Sequence, residues 1–215
     1  MPNEKTYQFD DLVEIMTKLR APGGCPWDRE QTHASIKPNL IEEAYELSEA
    51  LDSGDGAKMA DESGDLLLQI VFHASIGKDA GEYSIDDVTD SICRKMIHRH
   101  PHVFGDADLT TGTADEVLNN WDVIKRGERG QGTVADEMRG ISKYLPNLIR
   151  ADKVIRKAIK RGYEFAPSTA EDGIGAKLWE AVRLANEAGV DPELALGKYI
   201  ANFIDEFEQW ECGSE

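Results

Sequence analysis

The sequence predicts an all-α fold. Apolar residues recur at intervals of three and four along most of the 215 residues, which is the spacing of amphipathic helices. Strand patterns, in which apolar and polar residues alternate, are poor by comparison. With 40% hydrophobic and 30% charged residues, the composition is typical of a soluble globular protein that can bury a substantial core.

Five helices are expected before residue 130. Apolar residues from Phe9 to Leu19 place an amphipathic helix at residues 9–20, and the segment APGGCPWD ends it. A loop is expected at residues 29–38, REQTHASIKP. Pro101 should stop the fourth helix, because a proline cannot donate an intrahelical hydrogen bond. The second to fifth predicted helices cover residues 39–51, 57–78, 85–99 and 114–129.

The glycines of GERGQG predict a boundary near residue 130, which divides the chain into domains 1–130 and 131–215. The second domain contains three more helical segments. Its segment GIGAKLWEAVRLA, from Gly173, faintly repeats ESGDLLLQIVFHA, from Glu62. Gly173 and Ala176 stand in the places of Glu62 and Asp65. If the two halves are related, the second has lost its acids.

Charge and cysteine usage restrict the partners and the compartment. A formal net charge of −17 argues against nonspecific binding of nucleic acid, which needs a basic face. Cys25, Cys93 and Cys212 form no C-x-x-C pair, which argues against a disulfide framework and fits a reducing cytosol. The start of the chain is polar, and the longest apolar run, residues 66–72, is too short to span a membrane. We therefore expect a cytoplasmic protein.

Two consecutive predicted helices carry carboxylates beside apolar faces. On the first, Glu43 and Glu46 lie at the edge of an apolar stripe formed by Leu40, Ala44, Leu47 and Leu51. On the second, apolar residues cover nearly every direction and leave one narrow polar line: Glu62, Asp65, Gln69 and His73. The second helix is therefore expected to be buried almost all round, with its polar line facing other polar groups.

The turn between these helices brings the acids together. In an antiparallel hairpin centred on Gly54, equal distances from the turn pair Glu46 with Glu62 and Glu43 with Asp65. Four carboxylates packed together repel one another unless a cation compensates them. Oxygen ligands without cysteine or Glu-x-x-His pairs suit a hard ion such as Mg²⁺ or Mn²⁺. A solvated acidic face is the alternative, which the apolar second helix disfavours.

The densest basic patch of the chain is CRKMIHRHPHVF, residues 93–104. Lys95 and Arg99 lie one helical turn apart on the same face, where they can clamp a polyphosphate. The alternative is that these cations offset the dipole at a helix C-terminus. A zinc site at His98, His100 and His102 is disfavoured, because Pro101 disrupts their helical register and no cysteine cluster assists.

Four other residues are candidates for nucleotide contacts. Trp27 and His33 could cover a nucleobase, although anchoring a loop is the ordinary role of such a tryptophan. Trp121 could stack on a base and Lys125 reach a phosphate. The alternative is a core tryptophan with solvated basic neighbours.

Five ordered motifs over roughly residues 9–130 closely resemble the MazG-type nucleoside triphosphate pyrophosphohydrolases. The motifs are CPWDREQTH, IEEAYE, ESGDLLLQIVFHA, HRHPHVF and EVLNNWDVIKRGER. The resemblance implies an all-α, MazG-like helical bundle built on an antiparallel hairpin with E-E-x-x-E and E-x-x-D, followed by a shorter helical C-terminal region. It also implies hydrolysis of a nucleoside triphosphate between the α and β phosphates, a Mg²⁺ requirement and a homodimer or higher homo-oligomer.

The resemblance assigns roles to individual residues. It implies metal ligands at Glu43, Glu46, Glu62 and Asp65, a supporting acid or base at Glu42, and nucleotide contacts at Lys95, Arg99, Trp121 and Lys125. His98 stands where the family pattern has an arginine.

The segment YLPNLIRADKVIRKAIKRGYEF resembles the start of the second copy found in two-domain members. Here that copy is shortened, and Asn202 and Glu206 fall where lysine and arginine are expected. The resemblance therefore implies that residues 131–215 are a degenerate, metal-free region that packs or dimerises.

The expected mechanism is metal-assisted in-line attack of water on a phosphoryl group. Lys95 and Arg99 would hold the leaving pyrophosphate, and Glu42 is the candidate acceptor of the water's proton. The competing hypothesis is a catalytically inactive regulatory protein that binds a nucleotide or a metal. The complete acid set of the first half favours the enzyme.

Overall fold

The fold is all-helical in a computed structural model that describes residues 6–105, 113–128, 133–166 and 173–212. These described residues form eleven helices and no strand, which confirms the predicted fold class. The chain divides into two compact units, Met1–Thr111 and Gly112–Glu215. No helix among the described residues is long and apolar enough to cross a membrane.

The first unit is built on a long helical hairpin, α3 (His33–Ser53) and α4 (Gly56–Ala80). Helix α1 (Phe9–Arg20) packs on α4 and is followed by the short α2 (Pro26–Glu30), while α5 (Ile85–Arg99) returns along α4 and leads into α6 (Pro101–Phe104). The bounds predicted for α1 and α5 are confirmed. The core of this unit consists of Met16, Ile36, Val71, Phe72 and Ile76.

The turn of the hairpin contains only Gly54 and Asp55. Gly54 has φ of +70°, a left-handed conformation that glycine adopts without the steric cost of a Cβ. The Asp55 carboxylate then caps α4 by accepting a hydrogen bond from the backbone N–H of Ala57 at 2.9 Å. This tight connection holds α3 and α4 antiparallel from their first shared turn.

The loop expected at residues 29–38 is mostly helical, so that prediction was wrong. Helix α3 begins at His33, where Thr32 and Ser35 form a reciprocal capping box: each side-chain hydroxyl accepts a hydrogen bond from the other residue's backbone N–H. Pro38 lies inside the helix. Because it lies in the second turn, the capped first turn and the burial of Ile36 outweigh its missing hydrogen bond.

The expected orientation of the hairpin faces also needs correction. The buried stripe of α3 runs from Ile36 through Glu43 to Ala50, while Leu51 is 58% exposed. Helix α4 is not buried all round, since Leu67 and Ile70 are 40% and 38% exposed. The reason is that Ile36, which the predicted loop excluded from the helix, is anchored in the core and fixes the face that α3 turns inward.

The second unit contains five helices in its described part: α7 (Ala114–Glu128), α8 (Val134–Arg139), α9 (Asn147–Ile159), α10 (Gly173–Glu187) and α11 (Pro192–Cys212). Helix α9 contacts α8, α10 and α11, and its fully buried Ile155 lies at the centre of the unit, as does Val182 of α10. Helix α7 falls in this unit because the compact units divide after Thr111. The functional division near residue 130 stays a prediction.

Candidate functional site

Three carboxylates meet between the two helices of the hairpin. Helix α3 supplies Glu43, and α4 supplies Glu62 and Asp65, which lie on one face because they are three residues apart. One oxygen atom from each side chain lies within 4.8 Å of the other two. Glu43 and Glu62 are partly buried and Asp65 is exposed, so the group is open to solvent on one side.

These three acids form no ion pair within the part of the chain that the structure describes. No arginine, lysine or histidine there forms an ion pair with Glu43, Glu62 or Asp65. Lys58 acts on Glu62 electrostatically, but its ammonium group pairs with Glu49 at 3.1 Å. The carboxylates therefore repel one another, and none of the three is paired with a neighbouring base.

The crowding is reflected in the proton affinities of the two partly buried acids. Burial, reinforced by Asp65 and Glu46, raises the pKa of Glu43 above the usual glutamate range. Burial, reinforced by Glu46 and Asp65, raises the pKa of Glu62 in the same way. A group of oxygen donors with unbalanced negative charge suits a hard divalent cation, so the residues present fit the predicted metal.

Glu46 and Glu42, the other two predicted acids of α3, lie outside this group of three. Both are exposed. Glu46 is near enough to contribute to the raised pKa values of Glu43 and Glu62, and Glu42 contributes more weakly to that of Glu43. Their predicted roles, a fourth ligand for Glu46 and a proton acceptor for Glu42, stay predictions.

Gln69 continues the polar line of α4 beyond the acids. Its Nε2 donates a hydrogen bond to Glu43 Oε1 at 3.4 Å, which holds the only α3 member of the acid group from the opposite helix. The side chain is buried, with 8% exposure of the residue. Gln69 Oε1 and His73 Nε2, one turn further on, are both buried and make no hydrogen bond to any described residue.

His33 and His73 form a pair that the sequence did not predict. Their Nδ1 atoms lie 2.8 Å apart, so one nitrogen carries the shared hydrogen and the other accepts it. The rings are nearly parallel with centroids 5.1 Å apart, and Tyr83 stacks beyond His33 at 6.1 Å. Burial, with a smaller effect of His33, lowers the pKa of His73, which favours the neutral form of His73 at pH 7.

Trp27, the other predicted base contact of the first unit, projects from α2. It is 58% exposed, and its ring meets Phe72 of α4 edge-on, with centroids 6.3 Å apart. Because Phe72 precedes His73, the two predicted base contacts, Trp27 and His33, lie against neighbouring residues of the same helix.

The predicted phosphate contacts Lys95 and Arg99 lie on α5, one turn apart. Lys95 is exposed and Arg99 is partly buried. The end of α5 is closed by His100, whose Nδ1 donates to the carbonyl of Met96 at 2.6 Å. Among the described residues no group of three histidine or cysteine side chains is placed to bind a metal.

Trp121 and Lys125 lie in the second unit, on α7. The Lys125 ammonium nitrogen is 5.7 Å from the centroid of the Trp121 ring, a cation–π contact between residues one helical turn apart. Their contact with a nucleotide stays a prediction.

The sequence of this chain matches a known protein family. The profile of the MazG nucleotide pyrophosphohydrolase domain matches residues 31–104, which include the three acids and the basic patch. A Thermotoga maritima protein, "nucleoside triphosphate pyrophosphohydrolase/pyrophosphatase MazG", is 37% identical over 224 residues, which cover 94% of this chain and 85% of that protein.

Two further relatives extend the comparison. The nucleoside triphosphate pyrophosphohydrolase of Escherichia coli K12 is 33% identical over 231 residues, with 95% of this chain and 87% of the relative aligned. The uncharacterized protein YabN of Bacillus subtilis is 44% identical over 148 residues, 69% of this chain and 30% of that protein. The long alignments at this identity, and the acid group within the matched domain, show that the chain belongs to the MazG nucleotide pyrophosphohydrolase family.

Proposed function

We propose that this protein hydrolyses nucleoside triphosphates between the α and β phosphates and releases a nucleoside monophosphate and pyrophosphate. The observation that carries the proposal is the uncompensated group of Glu43, Glu62 and Asp65. Relatives that align along most of the chain are named for this activity.

Glu43, Glu62 and Asp65, with Glu46 as a fourth ligand, are proposed to hold Mg²⁺, or Mn²⁺ in its place. A bound divalent cation would activate the attacking water and neutralise charge that develops on the phosphate oxygens. The buried Gln69 amide supports the site by donating to Glu43, a hydrogen bond that orients the carboxylate. Glu42 is proposed to accept the proton of the attacking water.

The substrate is proposed to bind with its phosphates towards the acids and its base towards Trp27 and His33. Lys95 and Arg99 would hold the pyrophosphate as it leaves, since a lysine and an arginine one turn apart match the charge of a polyphosphate. Trp121 and Lys125 are proposed as further contacts to the nucleotide. Residues 131–215 are proposed to be a degenerate, metal-free region that packs or dimerises.

A homodimer in the cytoplasm is part of the same proposal. The hairpin exposes apolar side chains that a second copy could cover: Ile41, Tyr45, Leu67 and Ile70. Large exposed apolar patches commonly mark protein interfaces. Light scattering of the purified chain tests this assembly, and a monomer at micromolar concentration would contradict it.

The activity is tested by incubating the protein with a panel of nucleoside triphosphates and Mg²⁺ and measuring both products. Equal amounts of monophosphate and pyrophosphate are expected, and EDTA should abolish their release. Release of orthophosphate with a nucleoside diphosphate would contradict cleavage at the α–β bond. Binding of triphosphates without any product would instead identify a regulatory protein that has kept its site.

A further inference from the structure

Arg20, at the end of α1, is a buried arginine that joins three helices. Its side chain is 8% exposed. Nε and Nη2 both donate to Asp79 Oδ2 of α4, at 3.2 and 2.7 Å, and Nη1 donates to the carbonyl oxygen of Asp28 in α2 at 2.5 Å. The guanidinium carbon also lies 5.5 Å from the centroid of the Phe72 ring.

The loop between α1 and α2 is built to reach this arginine. The backbone folds back on the end of α1, where the N–H of Cys25 donates to the carbonyl of Leu19 at 2.8 Å. Gly24 is needed for this approach, because a Cβ at that position would lie 2.3 Å from the Leu19 carbonyl oxygen. As a result α2 lies close to the end of α1, and Arg20 Nη1 reaches the carbonyl of Asp28.

Trp27 is held by the same contacts. It lies one residue before Asp28, whose carbonyl Arg20 binds, and its ring packs on Phe72, over which the Arg20 guanidinium also sits. A helix of five residues has little stability of its own. The orientation of this half-exposed tryptophan therefore depends on the Arg20 contacts.

Phe72, which Trp27 contacts, lies on α4 beyond the acid group. Phe72 follows Asp65 by seven residues, so it lies on the same face of α4, about 10 Å further along the helix axis. The contact between Trp27 and Phe72 therefore lies further along α4 than the carboxylates, towards the His33–His73 pair. This separation is of the order of the distance between the base and the phosphates of an extended nucleotide.

We propose that Arg20 is a positioning residue for nucleobase recognition, which it controls by fixing α2 so that Trp27 presents a rigid face to the base. The inference rests on the proposed function for the presence of a nucleotide. Arg20 itself touches neither the base nor the phosphates. A lysine cannot replace it, since one ammonium group cannot bind Asp79 and the Asp28 carbonyl with the geometry of the planar fork.

The test compares two substrates, a nucleoside triphosphate and ribose 5-triphosphate, which has no base. Stacking of a base on an aromatic ring is worth about 1–3 kcal/mol, so we expect Trp27→Ala to raise the KM of the nucleotide about tenfold. Arg20→Lys should raise that KM about three- to tenfold with kcat within about twofold. For ribose 5-triphosphate both variants should match the wild type.

The double variant separates positioning from a direct or general structural role. If Arg20 acts through Trp27, then Arg20→Lys adds no further loss in the Trp27→Ala background. Additive losses, or an equal loss with ribose 5-triphosphate, would overturn the proposal. Lys18→Met is the matched control, because Lys18 is two residues away on α1 and forms an exposed pair with Glu14.

Hydrogen exchange of the α2 amides provides a readout that does not require turnover. Arg20→Lys should speed exchange of the Arg29 amide, whose N–H donates to the Cys25 carbonyl in α2, at least about tenfold, while Lys18→Met leaves it unchanged. Unchanged exchange in Arg20→Lys would overturn the positioning role even in a protein that cleaves no triphosphate. Absence of product with the wild type would contradict the proposed function instead, so the two failures are distinct.

Discussion

Glu43, Glu62 and Asp65 of the first unit lie together without an ion pair to a base, whereas Asp152, a buried acid of the second unit, is bound to partners in its own chain. Asp152 of α9 accepts hydrogen bonds from Arg156 and from Asn186, both at 2.7 Å.

Two partly buried acids of the second unit are also paired with a base. Glu137 pairs with Lys157 at 2.6 Å, and Glu180 pairs with Arg183 at 2.6 Å. A hydrogen bond from Arg183 lowers the pKa of Glu180, the reverse of the shifts at Glu43 and Glu62.

The comparison distinguishes paired acids, which stabilise the fold, from acids that we propose to bind a cation. At Asp152, Glu137 and Glu180 the negative charge is balanced by a base of the same chain. At Glu43, Glu62 and Asp65 a divalent cation is proposed to relieve the repulsion. In the predicted repeat, Gly173 and Ala176 stand at the positions of Glu62 and Asp65, and Glu180, at the position of Gln69, is paired with Arg183.

The largest expected effect is on catalysis. Glu62→Gln or Asp65→Asn should lower pyrophosphate release about 10²- to 10³-fold, the loss that follows removal of one electrostatic group from an active site. The melting temperature without metal should not fall, because each change relieves repulsion. Asp152→Asn serves as the control and should retain turnover when assayed below its melting temperature. Wild-type turnover in Glu62→Gln would reject the site.

The second prediction concerns stability in the second unit. Asp152→Asn should lower the free energy of unfolding by about 2 kcal/mol, because Arg156 loses a charged hydrogen-bond partner at a buried position. Urea titration with EDTA present measures the change. An unchanged midpoint would show that these buried acids are not structural, and the contrast between the units would fail.

The smallest expected effect is a pH-dependent gain in the free energy of unfolding, opposite to the loss expected for Asp152→Asn. Folding raises the pKa of Glu43, so the folded state binds its proton more tightly and loses stability as pH rises from the unfolded value of about 4.3 through the raised one. Glu43→Gln should therefore stabilise the cation-free protein at pH 7, by at most about 1 kcal/mol. The gain should vanish below pH 4, as followed by urea unfolding in EDTA.

Asp136 provides a control, because its substitution should change the free energy of unfolding in the opposite direction. The Thr133 hydroxyl hydrogen bond lowers its pKa, so its charged form stabilises the fold above the unfolded pKa. Asp136→Asn should therefore destabilise the protein at pH 7. A loss of stability in Glu43→Gln at pH 7 would contradict the repulsion inferred at the acid group.

The hairpin and the meeting of its acids could be predicted from sequence for a physical reason. Gly54 and Asp55 allow only a short connection, so two adjacent helices must run antiparallel, and distance from the turn then gives the height of each side chain. The grouping of Glu43 with Asp65 follows from that rule. The position of Glu46 outside the group depends on the rotation of α3, which Ile36 determines through the core.

Other features depend on contacts that no local pattern encodes. Arg20 and Asp79 are 59 residues apart in the sequence, and His33 and His73 are 40 apart. Each pair therefore forms only because α1 and α3 pack on α4. Helix α2 and the start of α3 were missed because Pro26 and Pro38 are ordinarily read as helix breakers. The capping box at Thr32 was the signal that could have corrected this.

Titration calorimetry with Mn²⁺ on the cation-free protein tests the central claim most directly. The account predicts saturable binding that is lost or at least about tenfold weaker in Asp65→Asn and unchanged in Asp152→Asn. Equal Mn²⁺ affinity in the wild type and Asp65→Asn, or no binding to the wild type, would contradict a cation site at the uncompensated acids of the first unit.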